Sequence, residues 1–318
     1  DKEPVLGAER SGEQSMIKAI TVTTPKGESL KLTLANPEES GLIVKSIEGL
    51  GPSKANINTT ELATMDGSVY SSARTTERNI VLTLAMMFAP TIEDSRQKTY
   101  HFFPVKGKVK LVIETDNRQV QTEGYVESNE PDIFSEAETA QISILCPDPY
   151  FYDASGSSTL FMDASAQFEF PFSNESVTEP MIEFSIIRID SRAIINYEGD
   201  SDTGLIITLH PVATVSDITL YNVTTKESMA IDTDKIAAIT GIAFAPGDDI
   251  IISTIKGDKY VRLLRNGFYI NIISALAKDA DWLQITPGDN IFDFTTDSAE
   301  TKTNLMVTFS YRKAYGGV

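Results

Sequence analysis

A strand that ends at two prolines near the middle of the chain limits how the chain can fold. Over Gln141–Cys146, apolar and polar side chains alternate, which is typical of a strand with one buried face. Pro147 and Pro149 then end the strand, because proline has no N–H to donate to a sheet. Three aromatic residues and the small polar run 153–158 follow. This order predicts a boundary between two domains, residues 1–149 and residues 150–318.

Length and charge restrict the class of protein. A chain of 318 residues has room for two domains of roughly 100–200 residues each. The net charge of −18 argues against specific nucleic-acid binding, which needs clusters of Lys and Arg. The single Cys146 excludes an internal disulfide, and no apolar run reaches the roughly 18–20 residues of a membrane span. We therefore expect a soluble chain, made in the cytoplasm, that does not enter a membrane.

The first half reads as a β-rich domain with one helix. Residues 1–15 are polar, and we expect them to form an arm. Thr91 is placed to cap a helix over 92–102, with Asp94 completing a capping box. The predicted strands are 17–24, 29–34, 42–47, 80–88, 108–115, 119–128 and 139–146.

One segment of this half has no obvious core-facing side. Residues 55–79 are rich in Thr, Ser and Asn, with a turn signal at Asp66-Gly67. Such a segment fits an extended hairpin that reaches off the domain, and it fits a long surface loop equally well. Composition alone leaves both interpretations open.

The second half is almost wholly β. Turn signals recur about every 8–12 residues, which is typical of an antiparallel sandwich or jelly roll. Besides an alternating phenylalanine stretch at 168–172, the predicted strands are 181–189, 193–197, 204–211, 217–222, 228–231, 249–255, 260–264, 290–295 and 304–312.

Residues suited to catalysis or metal binding are few. His101 and His210 are the only histidines, and neither has a second ligand at zinc spacing. The carboxylates of 127–132 fit a solvated loop better than a glycosidase pair, and 200–204 lacks the spacing of a calcium loop. Cys146 reads as a small core residue. We predict no catalytic residue, no bound metal, no cofactor and no enzymatic activity.

Trp282 is the one candidate ligand-binding residue. It is the only tryptophan, and it precedes a Pro-Gly turn, where it would close one end of a sandwich. The alternative is an exposed ring that stacks on a sugar, together with Tyr260 and Tyr269. Both alternatives stay open at the level of sequence.

Seven stretches of the chain form a set with a fixed order and spacing: 57–74, 78–84, 92–98, 124–134, 146–152, 282–291 and 311–318. The set extends over nearly the whole chain, which makes it more specific than any one motif. Taken together, these stretches resemble the siphophage distal tail protein family.

The resemblance implies a structural baseplate hub of a phage virion. Family members form a six-fold ring at the end of the tail tube, so it implies a homo-oligomer, with a hexamer expected. Residues 1–149 would build this ring and 55–79 would form a belt around it. Residues 150–318 would be a galectin-like or carbohydrate-module-like sandwich that projects outward. The implied partners are the major tail tube protein, the tape measure protein and a tail tip or receptor-binding protein, and DNA would pass through the ring.

A second function stays open beside the hub. A β-sandwich with Trp282, Tyr260 and Tyr269 also fits a carbohydrate-binding or adhesin module that recognises the host surface. The family resemblance does not decide between them, because its members vary in whether the outer domain binds sugar, an adhesin or nothing.

Overall fold

The chain forms two compact units. The structure is a computed structural model that describes residues 16–318 apart from 65, 89, 133, 135–137, 161, 167–184 and 190–191, with backbone alone over 157–191. Unit 1 comprises Asp1–Ser155 and Ala314–Val318, and unit 2 comprises Gly156–Lys313. The boundary expected at 149/150 lies slightly before this division, and 314–318 belong to the first unit. The predicted arm at 1–15 and the stretch at 168–172 lie outside the described residues.

Unit 1 is built on one antiparallel sheet, with a helix and a separate hairpin. Its strands are β1 (Ile17–Thr23), β2 (Ser29–Thr33), β3 (Leu42–Glu48), β4 (Ala55–Glu61), β5 (Ser68–Thr75), β6 (Arg78–Met86), β7 (Lys108–Thr115), β8 (Gln119–Asp132), β9 (Thr139–Cys146), β10 (Phe151–Asp153) and β24 (Ala314–Tyr315). The order in the nine-stranded sheet is β2-β1-β7-β8-β9-β6-β3, with β10 pairing both β8 and β24. The helix is α1 (Ile92–Phe102).

The core of unit 1 follows the predicted alternation. In β7, Val109, Leu111 and Ile113 are buried, while Lys110 and Val112 between them are half-buried. Helix α1 begins as the sequence predicts: the Asp94 amide donates to Thr91 Oγ1 (3.1 Å) and the Thr91 amide donates to the Asp94 carboxylate (3.2 Å). This capping box satisfies N–H groups that have no partner inside the helix. The β-rich first half with one helix is confirmed.

Unit 2 consists mainly of antiparallel strands. They are β11 (Ser157–Leu160), β12 (Met162–Ala166), β13 (Ser185–Ile189), β14 (Ala193–Tyr197), β15 (Thr203–Pro211), β16 (Ile218–Asn222), β17 (Glu227–Ile231), β18 (Asp248–Ser253), β19 (Tyr260–Arg265), β20 (Phe268–Asn271), β21 (Gln284–Ile285), β22 (Gly288–Thr295) and β23 (Leu305–Tyr311). One sheet has the order β11-β23-β15-β18-β19-β20, with β21 on β15, and a second has the order β14-β22-β16-β17. β12 and β13 pair with each other.

The two larger sheets of unit 2 share one hydrophobic core. Phe292 on β22 and Phe309 on β23 are both fully buried, and their ring centroids are 4.6 Å apart. Because they belong to different sheets, their contact identifies face-to-face packing, and the predicted antiparallel sandwich is confirmed. A short helix, α2 (Thr233–Thr240), was not predicted; it is capped by the Asp232 side chain and ends at Gly241 in the left-handed conformation.

A buried ion pair fixes the chain that follows α2. The Arg265 guanidinium donates to both oxygens of the Asp248 carboxylate (2.7 and 2.6 Å). The two side chains are 12% and 7% exposed. Arg265 also donates to the Ala243 carbonyl (2.9 Å). The hydrogen bond from Arg265 lowers the pKa of the Asp248 carboxyl, and burial acts in the opposite direction.

Unit 2 should therefore lose stability in acid through Asp248. The pKa of Asp248 is lower in the folded chain than in the unfolded one. The stabilisation from its ion pair with Arg265 is therefore full above pH about 4 and is lost as the pH falls through the folded-state pKa. We expect Asp248→Asn to lower the free energy of unfolding by about 3 kcal/mol at pH 7, and the difference from wild type to shrink below pH about 4. Trp282 fluorescence during urea unfolding reports on unit 2. The exposed Asp279→Asn is the control; an unchanged difference between pH 7 and pH 3 would contradict the assignment.

Candidate functional site

The segment that sequence left open is a separate two-stranded hairpin. Strands β4 and β5 pair with each other, and within the described residues neither joins another sheet. Every residue of both strands is exposed, including Ile57 (60%) and Tyr70 (63%). An isolated hairpin is at best marginally stable in water, and its unpaired edges are templates for another chain. The hairpin, residues 55–75, is therefore the candidate assembly element.

The two faces of the hairpin differ in chemistry. Ile57 pairs with Ala73, and Thr59 pairs with Tyr70 after a register shift. Residues two apart in a strand lie on one face, so Ile57 and Tyr70 are on the same face, which is the more apolar one. On the other face, Asn58 Nδ2 donates to Ser72 Oγ (3.0 Å). A partner that covers the hairpin would bury the face with Ile57 and Tyr70.

The two chain segments at the root of the hairpin, residues 49–54 and 76–78, are held together by hydrogen bonds and close backbone packing. The Thr76 amide and hydroxyl both donate to the Lys54 carbonyl (2.9 and 3.0 Å). Gly49 has a φ of +82°, and a Cβ there would lie 2.0 Å from the Asn79 carbonyl oxygen. Only glycine fits that position, because a side chain would be strained and would also overlap the backbone of β6.

Arg78 is the central residue of the root. It is 2% exposed, and its guanidinium donates to the carbonyls of Gly49, Gly51 (2.6 Å), Pro149 (2.8 Å) and Gly316 (2.6 Å). The same group lies 4.2 Å from the centroid of the Phe151 ring. Burial lowers the pKa of the Arg78 guanidinium, and the negative charge of Asp148 acts in the opposite direction. Sequence analysis missed this role, since backbone carbonyl acceptors have no sequence signature.

Residues 314–318, here called the 314–318 segment, pack beside this root. Strand β24 pairs with β10, with Tyr315 opposite Phe151. The Arg118 guanidinium lies 4.5 Å from the centroid of the Tyr315 ring and donates to the Gly317 carbonyl (3.2 Å). The Val318 amide donates to the Leu50 carbonyl (3.0 Å). The segment therefore contacts both Arg78 and the loop that leads into β4.

Trp282, the predicted ligand residue, is partly buried against the core of unit 2. The Lys259 ammonium lies 5.1 Å from the centroid of its ring. Tyr260, Arg262 and Leu264 are alternate residues of β19, so their side chains lie on one face of the β19–β20 hairpin. Leu264 pairs with Tyr269, which places the Tyr269 side chain on the same face. The Arg262 guanidinium lies 4.1 Å from the centroid of the Tyr260 ring, and Tyr269 is 63% exposed. Sugar stacking by Trp282 stays a prediction.

The other reactive side chains make local contacts. His101 Nε2 is 2.7 Å from the Glu28 carboxylate, and His210 Nδ1 is 2.7 Å from the Asp249 carboxylate. Cys146 is buried, and burial raises the pKa of its thiol to about 11, so the thiolate nucleophile is scarce at neutral pH. Among the described side chains, no three His, Cys, Asp or Glu groups converge as a metal site requires. No helix in the described ranges is long and apolar enough to span a membrane.

Comparison with known proteins gives a likeness in structure only. No family model matches the sequence, and no curated protein matches it. The structure is similar to the crystal structure of SPP1 Dit (gp 19.1), described as a paradigm of the hub adsorption apparatus in phages that infect Gram-positive hosts, with a TM-score of 0.61 and 11% identity over 93% of this chain and 99% of that one.

Two baseplate structures of phage P2 also match. The activated conformation with Ca matches with a TM-score of 0.49 and 13% identity over 95% of this chain and 100% of that one. The form with Sr matches with a TM-score of 0.45 and 11% identity over 92% and 97%. The chain is thus similar in fold to a phage distal tail hub protein over nearly the whole length of both chains, as the sequence resemblance predicts.

Proposed function

We propose that the chain is a structural phage tail protein, a distal tail or baseplate hub subunit whose copies form a ring between the tail tube and the tail tip. The observation that carries the proposal is the likeness in fold to SPP1 Dit over 93% of this chain and 99% of that one. A β-sandwich alone is shared by many unrelated proteins. A β-sandwich joined to a second domain, whose sheet carries a helix and an exposed hairpin, restricts the choice of function far more than a sandwich alone.

The hairpin supports the assembly part of the proposal. Its edges and its face with Ile57 and Tyr70 are exposed in the single chain, and exposed apolar surface of this kind marks an interaction site. A contact between the hairpin of one copy and a different surface of the next is heterologous, and such contacts close into a ring when the rotation fits. We propose that this ring is a hexamer and that residues 55–79 form its belt.

The partners follow from the proposed position in the virion. We propose contacts with the major tail tube protein and the tape measure protein on one side, and with a tail tip or receptor-binding protein on the other. The charge of −18 supports passage of DNA without specific binding, because like charges repel the phosphate backbone.

The molar mass of the purified full chain tests the proposal. We expect light scattering after size-exclusion chromatography to show a concentration-dependent shift from single chains to one closed oligomer. A single-chain mass at every concentration, also in the presence of the tail tube protein encoded with it, would contradict the proposal.

A second candidate function is carbohydrate binding by unit 2, which the exposed Tyr269 on the same hairpin face as Tyr260 favours. Aromatic rings stack on the apolar face of sugars. Under this function, a glycan array probed with the full chain detects binding that is lost in Tyr269→Ala and in Trp282→Ala. The matched control is Phe268→Ala, which removes an exposed ring (75%) from the next position of β20. Absence of binding, or binding unchanged in both tyrosine and tryptophan variants, would remove this candidate.

A further inference from the structure

We infer that the 314–318 segment sets the position of the root of the hairpin, and that Arg78 is the positioning residue that joins the segment to the root. One guanidinium of Arg78 donates to Gly51 in the loop before β4 and to Gly316 in the 314–318 segment, both at 2.6 Å. The guanidinium is planar and its donors have fixed directions. The positions of the two carbonyls are therefore not independent, and displacement of Gly316 removes a constraint on the loop at Gly51.

Three further contacts hold the segment in this place. The Val318 amide donates directly to the Leu50 carbonyl (3.0 Å), which gives the segment a second connection to the root. Arg118 makes the other two contacts, with the Tyr315 ring and the Gly317 carbonyl. Neither Arg118 nor Tyr315 belongs to the hairpin or its root, and Arg118 contacts the segment at Tyr315 and Gly317.

The order of the chain gives this arrangement a consequence for assembly. The 314–318 segment follows unit 2 in sequence, whereas the hairpin precedes it. The root is therefore completed only after unit 2 has been synthesised. A chain without these residues keeps the other strands of unit 1 but has an incompletely held hairpin. If the hairpin mediates assembly, as the proposed function holds, assembly is restricted to chains in which unit 2 has been made.

Amide hydrogen exchange on the full-length chain tests the inference without requiring assembly. The variant is Arg118→Ala combined with Tyr315→Ala. We expect the Thr76 amide, which donates to Lys54 in the root, to exchange at least about tenfold faster, while the Leu111 amide in the centre of the sheet keeps its wild-type rate. Arg262→Ala in unit 2 is the control and should change neither amide.

Two outcomes would overturn the inference. An unchanged rate at Thr76 would show that the segment does not hold the root. Equal acceleration at Thr76 and Leu111 would show that the segment only stabilises unit 1 as a whole. Arg78→Lys, which keeps the charge but cannot bridge four carbonyls, should reproduce the local acceleration at Thr76.

The assembly consequence is separated from the proposed function by comparing two variants. We expect the Arg118→Ala, Tyr315→Ala chain to need at least about tenfold more protein for half-assembly than wild type. If deletion of the hairpin prevents assembly but this double variant assembles like wild type, the assembly consequence fails and the proposed function stands. If neither change affects assembly, the proposed role of the hairpin in assembly fails, and the exchange rates alone decide whether the segment sets the root.

Discussion

Replacing residues 55–75 by a short Gly-Ser linker should prevent assembly of the full chain and leave both units folded. Every strand residue of the hairpin is exposed, so its removal takes nothing from either core. Ala55 and Thr75 pair with each other, so a short linker can join the two sides of the root. Burial of Ile57 and Tyr70 by a neighbour is worth about 1.5–3 kcal/mol each. We therefore expect the concentration for half-assembly, measured by light scattering, to rise at least about a hundredfold.

Substitutions on the two faces of the hairpin refine this experiment. Ile57→Ser with Tyr70→Ser changes the more apolar face, and Asn58→Ser with Ser72→Ala changes the opposite one. We expect the first pair to weaken assembly strongly and the second pair to have little effect. If the linker variant assembles like wild type, the hairpin is not needed for assembly. If both pairs of substitutions weaken assembly equally, the edges of the hairpin contribute more to assembly than its faces.

Arg78→Met should destabilise unit 1 by at least about 3 kcal/mol, because buried acceptors that lose their donor cost about 1–3 kcal/mol each. Met keeps an unbranched apolar chain but has no donor for the carbonyls of Gly49, Gly51 and the two other acceptors. Trp282 is the only tryptophan and lies in unit 2. Circular dichroism follows the unfolding of both units, whereas tryptophan fluorescence follows unit 2.

We expect Arg78→Met to lower the urea midpoint of the dichroism change that comes from unit 1. The fluorescence midpoint, which reports on unit 2, should stay at the wild-type value. Arg262→Met is the matched control, because Arg262 is an exposed arginine of unit 2 that also contacts an aromatic ring. If Arg78→Met leaves both midpoints at the wild-type values, the carbonyl contacts of Arg78 contribute little to the stability of unit 1.

Sequence reasoning succeeded where one side of an element is buried. The strands Lys108–Thr115 and Thr139–Cys146 have the predicted bounds, because apolar residues alternate wherever a sheet covers a core. The bounds of α1 are also as predicted, since Thr91 and Asp94 mark its beginning and Pro104 follows its end.

Elements without a regular pattern of buried residues could not be predicted from the sequence. The hairpin at 55–75 has no core-facing side, so its strands could not be told from a loop. Helix α2 is only eight residues long and contains β-branched residues that also suit strands. Strand β20 follows the turn signal Asn266-Gly267 but lies at the end of its sheet, where its side chains are mostly exposed.

Long-range contacts through the backbone were also beyond sequence reasoning. Residues 314–318 were expected in the second domain, yet all five belong to unit 1, where Ala314 and Tyr315 pair with β10. Arg78 bonds to carbonyls that are as far as 238 positions away in sequence. Every residue has a carbonyl, so only the three-dimensional structure shows which ones converge on a buried guanidinium.

Electron microscopy of the purified full chain at increasing concentration would show whether copies of this chain join into a closed ring. We expect class averages of one closed ring with six-fold symmetry, and loss of these rings when residues 55–75 are replaced. Open filaments, or particles the size of a single chain at every concentration both alone and with the tail tube protein, would contradict it.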